Sequence, residues 1–202
     1  IDDFVITFFN SGTEVTFLFG GVSHSSTTVA GKATTTYQAS NKVGTSLATA
    51  TAGGAQGETT LTFTPGPAAT LTLTVQPSTV PVLGSAAVTA VVKDQFGNDV
   101  ADGTSVTFSA IAGTVPASAS TSGGQVQVNF LAGTSAGAGS VTATAGVATD
   151  LKPVTVVPGA PNKIEIVVTP SQVPASATGT AIVEAKVTDA FGNLVVGERV
   201  DF

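Results

Sequence analysis

Cysteine, methionine and tryptophan are absent from the 202 residues, and histidine and tyrosine occur once each. Without cysteine there is no disulfide, no thiolate metal site and no thiol nucleophile. A single histidine cannot build a multi-histidine metal centre. Charge is scarce too: Lys, Arg, Asp and Glu make up 10% of the chain, where soluble domains average about 25%. Seven basic residues against 13 acids give a net charge of −6. That leaves no positive stripe to neutralise phosphates, which argues against nucleic acid as a partner. No run approaches the ~20 apolar residues that span a bilayer, so no membrane span is expected in this segment. Ile1–Phe9 is apolar but carries Asp2 and Asp3, and it lacks a signal peptide's basic start and cleavage site.

What is present is repetition. Ala90-Val-Val-Lys-Asp-Gln-Phe-Gly-Asn98 returns as Ala185-Lys-Val-Thr-Asp-Ala-Phe-Gly-Asn193. Pro65-Gly66-Pro67 returns as Pro158-Gly159-Ala160-Pro161, and Gln76-Pro-Ser-Thr-Val-Pro81 as Thr169-Pro-Ser-Gln-Val-Pro174. Gly12-Thr-Glu-Val-Thr-Phe17 matches Gly103-Thr-Ser-Val-Thr-Phe108, and Thr49-Ala-Thr-Ala-Gly53 matches Thr142-Ala-Thr-Ala-Gly146. The offset drifts between 91 and 95 residues, as tandem units with small turn indels would produce.

Each unit reads as short strands. In Thr70-Leu-Thr-Leu-Thr-Val75 the apolar residues alternate with threonine, a period of two that sends Leu71, Leu73 and Val75 to one face. Thr60–Thr64, Gln125–Phe130 and Ile164–Val168 alternate in the same manner. Threonine suits the wet face because its β-branch favours strand while its hydroxyl stays solvated. Gly53-Gly54, Phe96-Gly97-Asn98-Asp99, Gly123-Gly124 and Gly137-Ala-Gly139 punctuate the strands. No capped 3.6-residue periodicity appears. The expected fold class is all-β, with tandem Ig-like β-sandwich domains arranged end to end. The expected boundaries are 1–65, a domain incomplete at its start; 66–158, a complete domain; and 159–202, the opening strands of a further one. Proline fixes φ at the joints Pro65–Pro67 and Pro158–Pro161, which predicts a semi-rigid rod.

The Asp-x-Phe-Gly-Asn signature, the Gly103–Phe108 segment, the repeated Pro-Ser-x-Val-Pro and Gly31-Lys-Ala-Thr34 together resemble the bacterial immunoglobulin-like repeats of invasin and intimin, the group-1 type. The resemblance covers nearly all of the chain. It departs at residues 1–11, where Thr7-Phe-Phe-Asn10-Ser11 stands in place of the signature. It implies sandwiches of roughly seven to nine strands, no catalytic centre, and a place in the stalks of surface adhesins or in domains that decorate phage particles.

The candidate site residues are few. Asp94, Phe96, Gly97 and Asn98, with Asp189, Phe191, Gly192 and Asn193, form a structural turn motif. The Asp and Asn side chains are expected to bond nearby backbone amides, glycine to supply an unusual φ, and Phe96 to close the sandwich end. Asp94, Asp99 and Asp102 are weak candidates for Ca²⁺. The second copy argues against that site, because Leu194 replaces Asp99 and Val196 replaces Asp102. His24 beside Ser23 reads as an exposed loop histidine, since the pair lacks an orienting acid and an oxyanion hole. Glu165, Glu184 and Glu198 fall at strand positions where a solvated face explains them, and Tyr37 aligns with Phe130 as a core aromatic. Phe4, Phe8, Phe9, Phe17 and Phe19 give five of the 11 phenylalanines. Such an N-terminal run is either a core strand or an inter-chain strand through Phe4, Ile6 and Phe8.

These readings point away from an enzyme and from any cofactor. They favour an extracellular structural or adhesive element at a bacterial cell surface or on a virion, with copies of the same protein or adjacent domains as partners. The alternatives are an Ig-like module that recognises a host receptor or glycan, and a phage-particle decoration domain. Because 159–202 carries only opening strands, it would leave an apolar face open. A longer parent chain explains this most simply. Completion by the next chain's N-terminal strand, giving a filament, is the sharper reading.

Overall fold

A computed structural model describes residues 14–19, 22–175 and 178–202. Among them every regular element is a strand. The backbone falls into two compact units, Ile1–Pro67 with Lys93–Ala101, and Ala68–Val92 with Asp102–Phe202. Phe4, Ile6 and Phe8 lie outside the described residues.

In the first unit, β1 (Glu14–Phe19), β2 (Val22–Thr27), β3 (Gly44–Ala52) and β4 (Ala55–Phe63) form one sheet in the order β2-β1-β3-β4. All of its pairs are antiparallel. Among the described side chains, Ala48 and Ala50 on β3, and Ala33 before it, are buried.

The second unit holds β5 (Thr70–Gln76), β6 (Thr79–Pro81), β7 (Ser85–Lys93), β8 (Ser105–Ile111), β9 (Gly113–Thr114), β10 (Ser118–Ser120), β11 (Gln125–Ala132), β12 (Gly137–Ala145), β13 (Ala148–Val157), β14 (Lys163–Thr169) and β15 (Ile182–Thr188). Two sheets, β5-β7-β11-β9 and β10-β8-β12-β13-β6, make an Ig-like β-sandwich. The strand period sorts the side chains. Along β11, Val126, Val128, Phe130 and Ala132 point inward while Gln125, Gln127, Asn129 and Leu131 face solvent. Leu73, Val88, Val92 and Phe130 of one sheet and Val80, Val106, Val141, Val154 and Val156 of the other are all buried. On β5, Leu73 and Val75 are buried as the alternation predicts, and Leu71 is half-buried.

Among the described residues Phe130 is the largest fully buried side chain, and Gly113 makes room for it. A Cβ at Gly113 would run into the Phe130 ring and the Leu131 carbonyl. The other sheet joins the repeat's opening to its close. β6 pairs in parallel with β13, Thr79 opposite Thr155 and Pro81 opposite Val157, while β5 packs against β12 and β13.

β14 and β15 pair antiparallel from Lys163↔Thr188 to Thr169↔Ile182. Ile164, Ile166, Val168 and Ile182 stay exposed there.

Candidate functional site

The turn after β7 is built around a buried carboxylate. Asp94 retains only 2% of its accessible surface, a costly place for a charge unless every lone pair is met. Its Oδ1 accepts the N–H groups of Phe96 and Asn98, each at 2.9 Å. Its Oδ2 accepts the Gly66 N–H at 3.0 Å and the Asn98 Nδ2 at 2.9 Å. The backbone closes the turn, Asp94 N–H donating to the Asn98 carbonyl and Gly97 N–H to the Asp94 carbonyl. Gly97 takes a φ of 84°, the left-handed region open to glycine at no steric cost. Asn98 then reaches outward. Its Nδ2 donates to the Asn41 carbonyl at 2.8 Å and its Oδ1 accepts the Val43 N–H at 3.3 Å.

The second copy repeats the arrangement atom for atom. Asp189 Oδ1 accepts Phe191 and Asn193 N–H, and Oδ2 accepts the Gly159 N–H and Asn193 Nδ2, at 2.8–2.9 Å. Asn193 Nδ2 donates to the Thr134 carbonyl at 2.9 Å, and its Oδ1 accepts the Ala136 N–H at 2.9 Å. Asn41, Val43 and Gly66 precede Thr134, Ala136 and Gly159 by 93 residues each. The same three backbone positions are therefore bonded in both copies, although two of the three residue types differ. Each turn thus ties itself to the glycine that precedes β5 or β14 and to backbone 55–59 residues earlier in the chain.

Electrostatics follow from this geometry. For Asp94 the Asn98 side-chain bond is the largest influence, and with the backbone donors it outweighs burial, holding the carboxyl at about 2, below the ordinary 3.8. For Asp189 burial pushes upward most strongly, but the Asn193 side chain and three backbone N–H groups together bring it to about 2. Both carboxylates are charged and fully committed at neutral pH.

The sequence suggested that Phe96 closes a sandwich end, but it and its counterpart Phe191 are 54% and 48% exposed. Phe96, Val43 and Phe63 line a cleft of about 270 Å³ together with Lys42, Asp94 and Asn98. This is below the roughly 300–1,000 Å³ usual for small-molecule sites, and the Asp94 oxygens inside it are already taken.

The three acids weighed as calcium ligands are engaged separately. Asp99 pairs with Lys93 at 2.7 Å, and Asp102 accepts the Gly123 N–H at 2.6 Å. Among the described residues no three His, Cys, Asp or Glu side chains gather as a metal would need. His24 lies in strand β2 rather than in a loop, opposite Phe17 and exposed. Ser23 and His24 are successive strand residues and so point to opposite faces, which separates nucleophile from base. Glu165 and Glu184 sit exposed on β14 and β15, whereas Glu198 lies outside the strands. Tyr37 is half-buried 5.8 Å from Phe63, less enclosed than Phe130. No helix among the described residues is long and apolar enough to cross a membrane.

One further carboxylate was not legible in the sequence. Asp150 on β13 accepts the N–H of Leu73 on β5 at 2.9 Å and pairs with Lys152 at 3.0 Å. The Leu73 N–H first, then Lys152, lower its pKa. A lone Asp in an alternating strand carries no sequence signal of this role.

No protein-family model and no curated protein sequence matches the chain. Solved structures do. The chain is similar to invasin, described as a bacterial integrin-binding protein, at 19% identity and TM-score 0.62, over 98% of this chain and 44% of that one. It is similar to the Escherichia coli adhesin FdeC at 22% identity and TM-score 0.58, over 77% of this chain and 53% of that one. InvD of Yersinia pseudotuberculosis gives 16% identity and TM-score 0.58, over 95% and 66%. The chain thus spans less than two thirds of each of these chains. The fold is the Ig-like β-sandwich of the invasin type.

Proposed function

We propose that this chain is a segment of a bacterial surface stalk, in which tandem Ig-like sandwiches extend or display a binding element and perform no catalysis. The observation that carries the reading is the duplicated aspartate–asparagine tie. A buried, fully bonded carboxylate at each copy holds the joint glycine, and the neighbouring asparagine bonds a turn of the repeat before it. Under this reading the repeats are 1–65, 66–158 and 159–202, and the ties stiffen each proline-bearing joint. Low charge and threonine-rich outer faces suit an exposed setting. The invasin-type fold and the bacterial names of the similar structures favour a cell surface over a virion.

The alternative is a binding module that recognises a host receptor or glycan through its loops. A spacer should show no saturable binding when the purified chain is titrated against immobilised receptor ectodomains and a glycan array. Saturable binding at micromolar or lower concentration would move the reading to the module.

A further inference from the structure

We infer that the sandwich formed by β5–β13 is a force-bearing unit in which β6, near its start, is clamped in shear against the last strand, β13, with Asp150 as a second lock that ties β5 to β13. This gives the proposed stalk a mechanical specification and rests on that reading only for its biological setting.

Strand direction decides how tension enters the sandwich. β6, near the start of the repeat, runs parallel to β13 at its end. Two paired parallel strands that open and close a domain place its incoming and outgoing chain at opposite ends. Tension along the chain then drags β6 backwards and β13 forwards past each other. All the bonds between them are loaded together. An antiparallel pair in this position would put both chain ends on one side and open bond by bond.

The bonds in question extend beyond the ladder. Thr155 N–H donates to the Ser78 carbonyl at 2.8 Å, and Val82 N–H donates to the Val157 carbonyl at 2.9 Å. These flank the paired residues Thr79–Pro81 and Thr155–Val157. Val80, Val154 and Val156 lie buried at the same place, so water reaches these bonds poorly. On the opposite sheet, β5 is held to β13 by Asp150, which accepts the Leu73 N–H at 2.9 Å. Leu73 itself is fully buried, so this amide has no water to turn to if the carboxylate is removed. Both segments of the opening strand, β5 and β6, are therefore tied to the same closing strand. A hydrogen bond to a charged group ranks among the stronger single contacts.

The test is single-molecule pulling on the whole chain. The absence of native cysteine lets handles be placed uniquely. Handles at Thr70→Cys and Ala160→Cys, both exposed positions, pull lengthwise. Handles at the paired, exposed Thr79→Cys and Thr155→Cys pull across the ladder. The expected lengthwise rupture force is several-fold higher than the transverse one. In the lengthwise geometry, Asp150→Ala should rupture about tenfold faster at fixed force. Asp99→Ala, which removes an exposed ion pair of the turn, should change the rate less than about twofold. Equal forces in the two geometries would overturn the clamp, and an unchanged rupture rate in Asp150→Ala would overturn the lock. If Asp150→Ala does not fold, the two handle geometries still decide the clamp. A weak sandwich in this assay would leave the stalk reading standing, because that reading is tested by binding and by joint stiffness.

Discussion

Asp94 and Asp189 combine burial, four accepted hydrogen bonds and a pKa of about 2. A carboxylate whose folded pKa lies below its unfolded value near 3.9 adds stability above that value, and the contribution fades as pH falls toward 2. Urea titrations should therefore show wild-type stability falling between pH 4 and pH 2. The Asp94→Asn/Asp189→Asn double variant should start less stable at pH 7 and fall less steeply over that window. An identical slope in the two proteins would remove these residues from the pH response. The turn's chemistry was readable from Asp-x-Phe-Gly-Asn, since short polar side chains and glycine have few other uses together. What Asn98 and Asn193 reach was not readable: their partners are main-chain atoms 55–59 residues away, and backbone groups leave no mark on residue identity.

Among the elements, β5 and β11 were legible because strict alternation fixes which face is dry. The parallel β6–β13 pair was not, since three residues of Thr-Val-Pro show no direction. His24 was misread as a loop residue because Ser and Thr crowd around it, yet Val22–Thr27 pairs along its length with β1, and pairing outweighs a polar composition. The core makes two predictions. Phe130→Ala, which empties the largest fully buried site, should cost about 3–5 kcal/mol in urea unfolding. Gly113→Ala should cost about 1–3 kcal/mol by overpacking, because its methyl has nowhere to go but the Phe130 ring and the Leu131 carbonyl. A neutral Gly113→Ala would mean that β9 yields, and that the ring is held less tightly than its burial suggests.

For the whole chain, the sequence repeat is plain, while the ties that the proposed stalk would use at its joints left little trace in it. Under the stalk reading Pro65–Pro67 and Pro158–Pro161 are the joints, but proline alone restricts one dihedral. On that proposal the aspartate–asparagine ties add bonds that would have to break before such a joint bends. The most direct test is the spread of distances across the first joint, read by pulsed electron spin resonance from labels at Thr59→Cys and Thr107→Cys, both exposed strand positions. The stalk account predicts one narrow distribution that broadens when Asn98→Ala is added while each sandwich keeps its thermal transition. A distribution already broad in the wild-type background, and unchanged by Asn98→Ala, would contradict it.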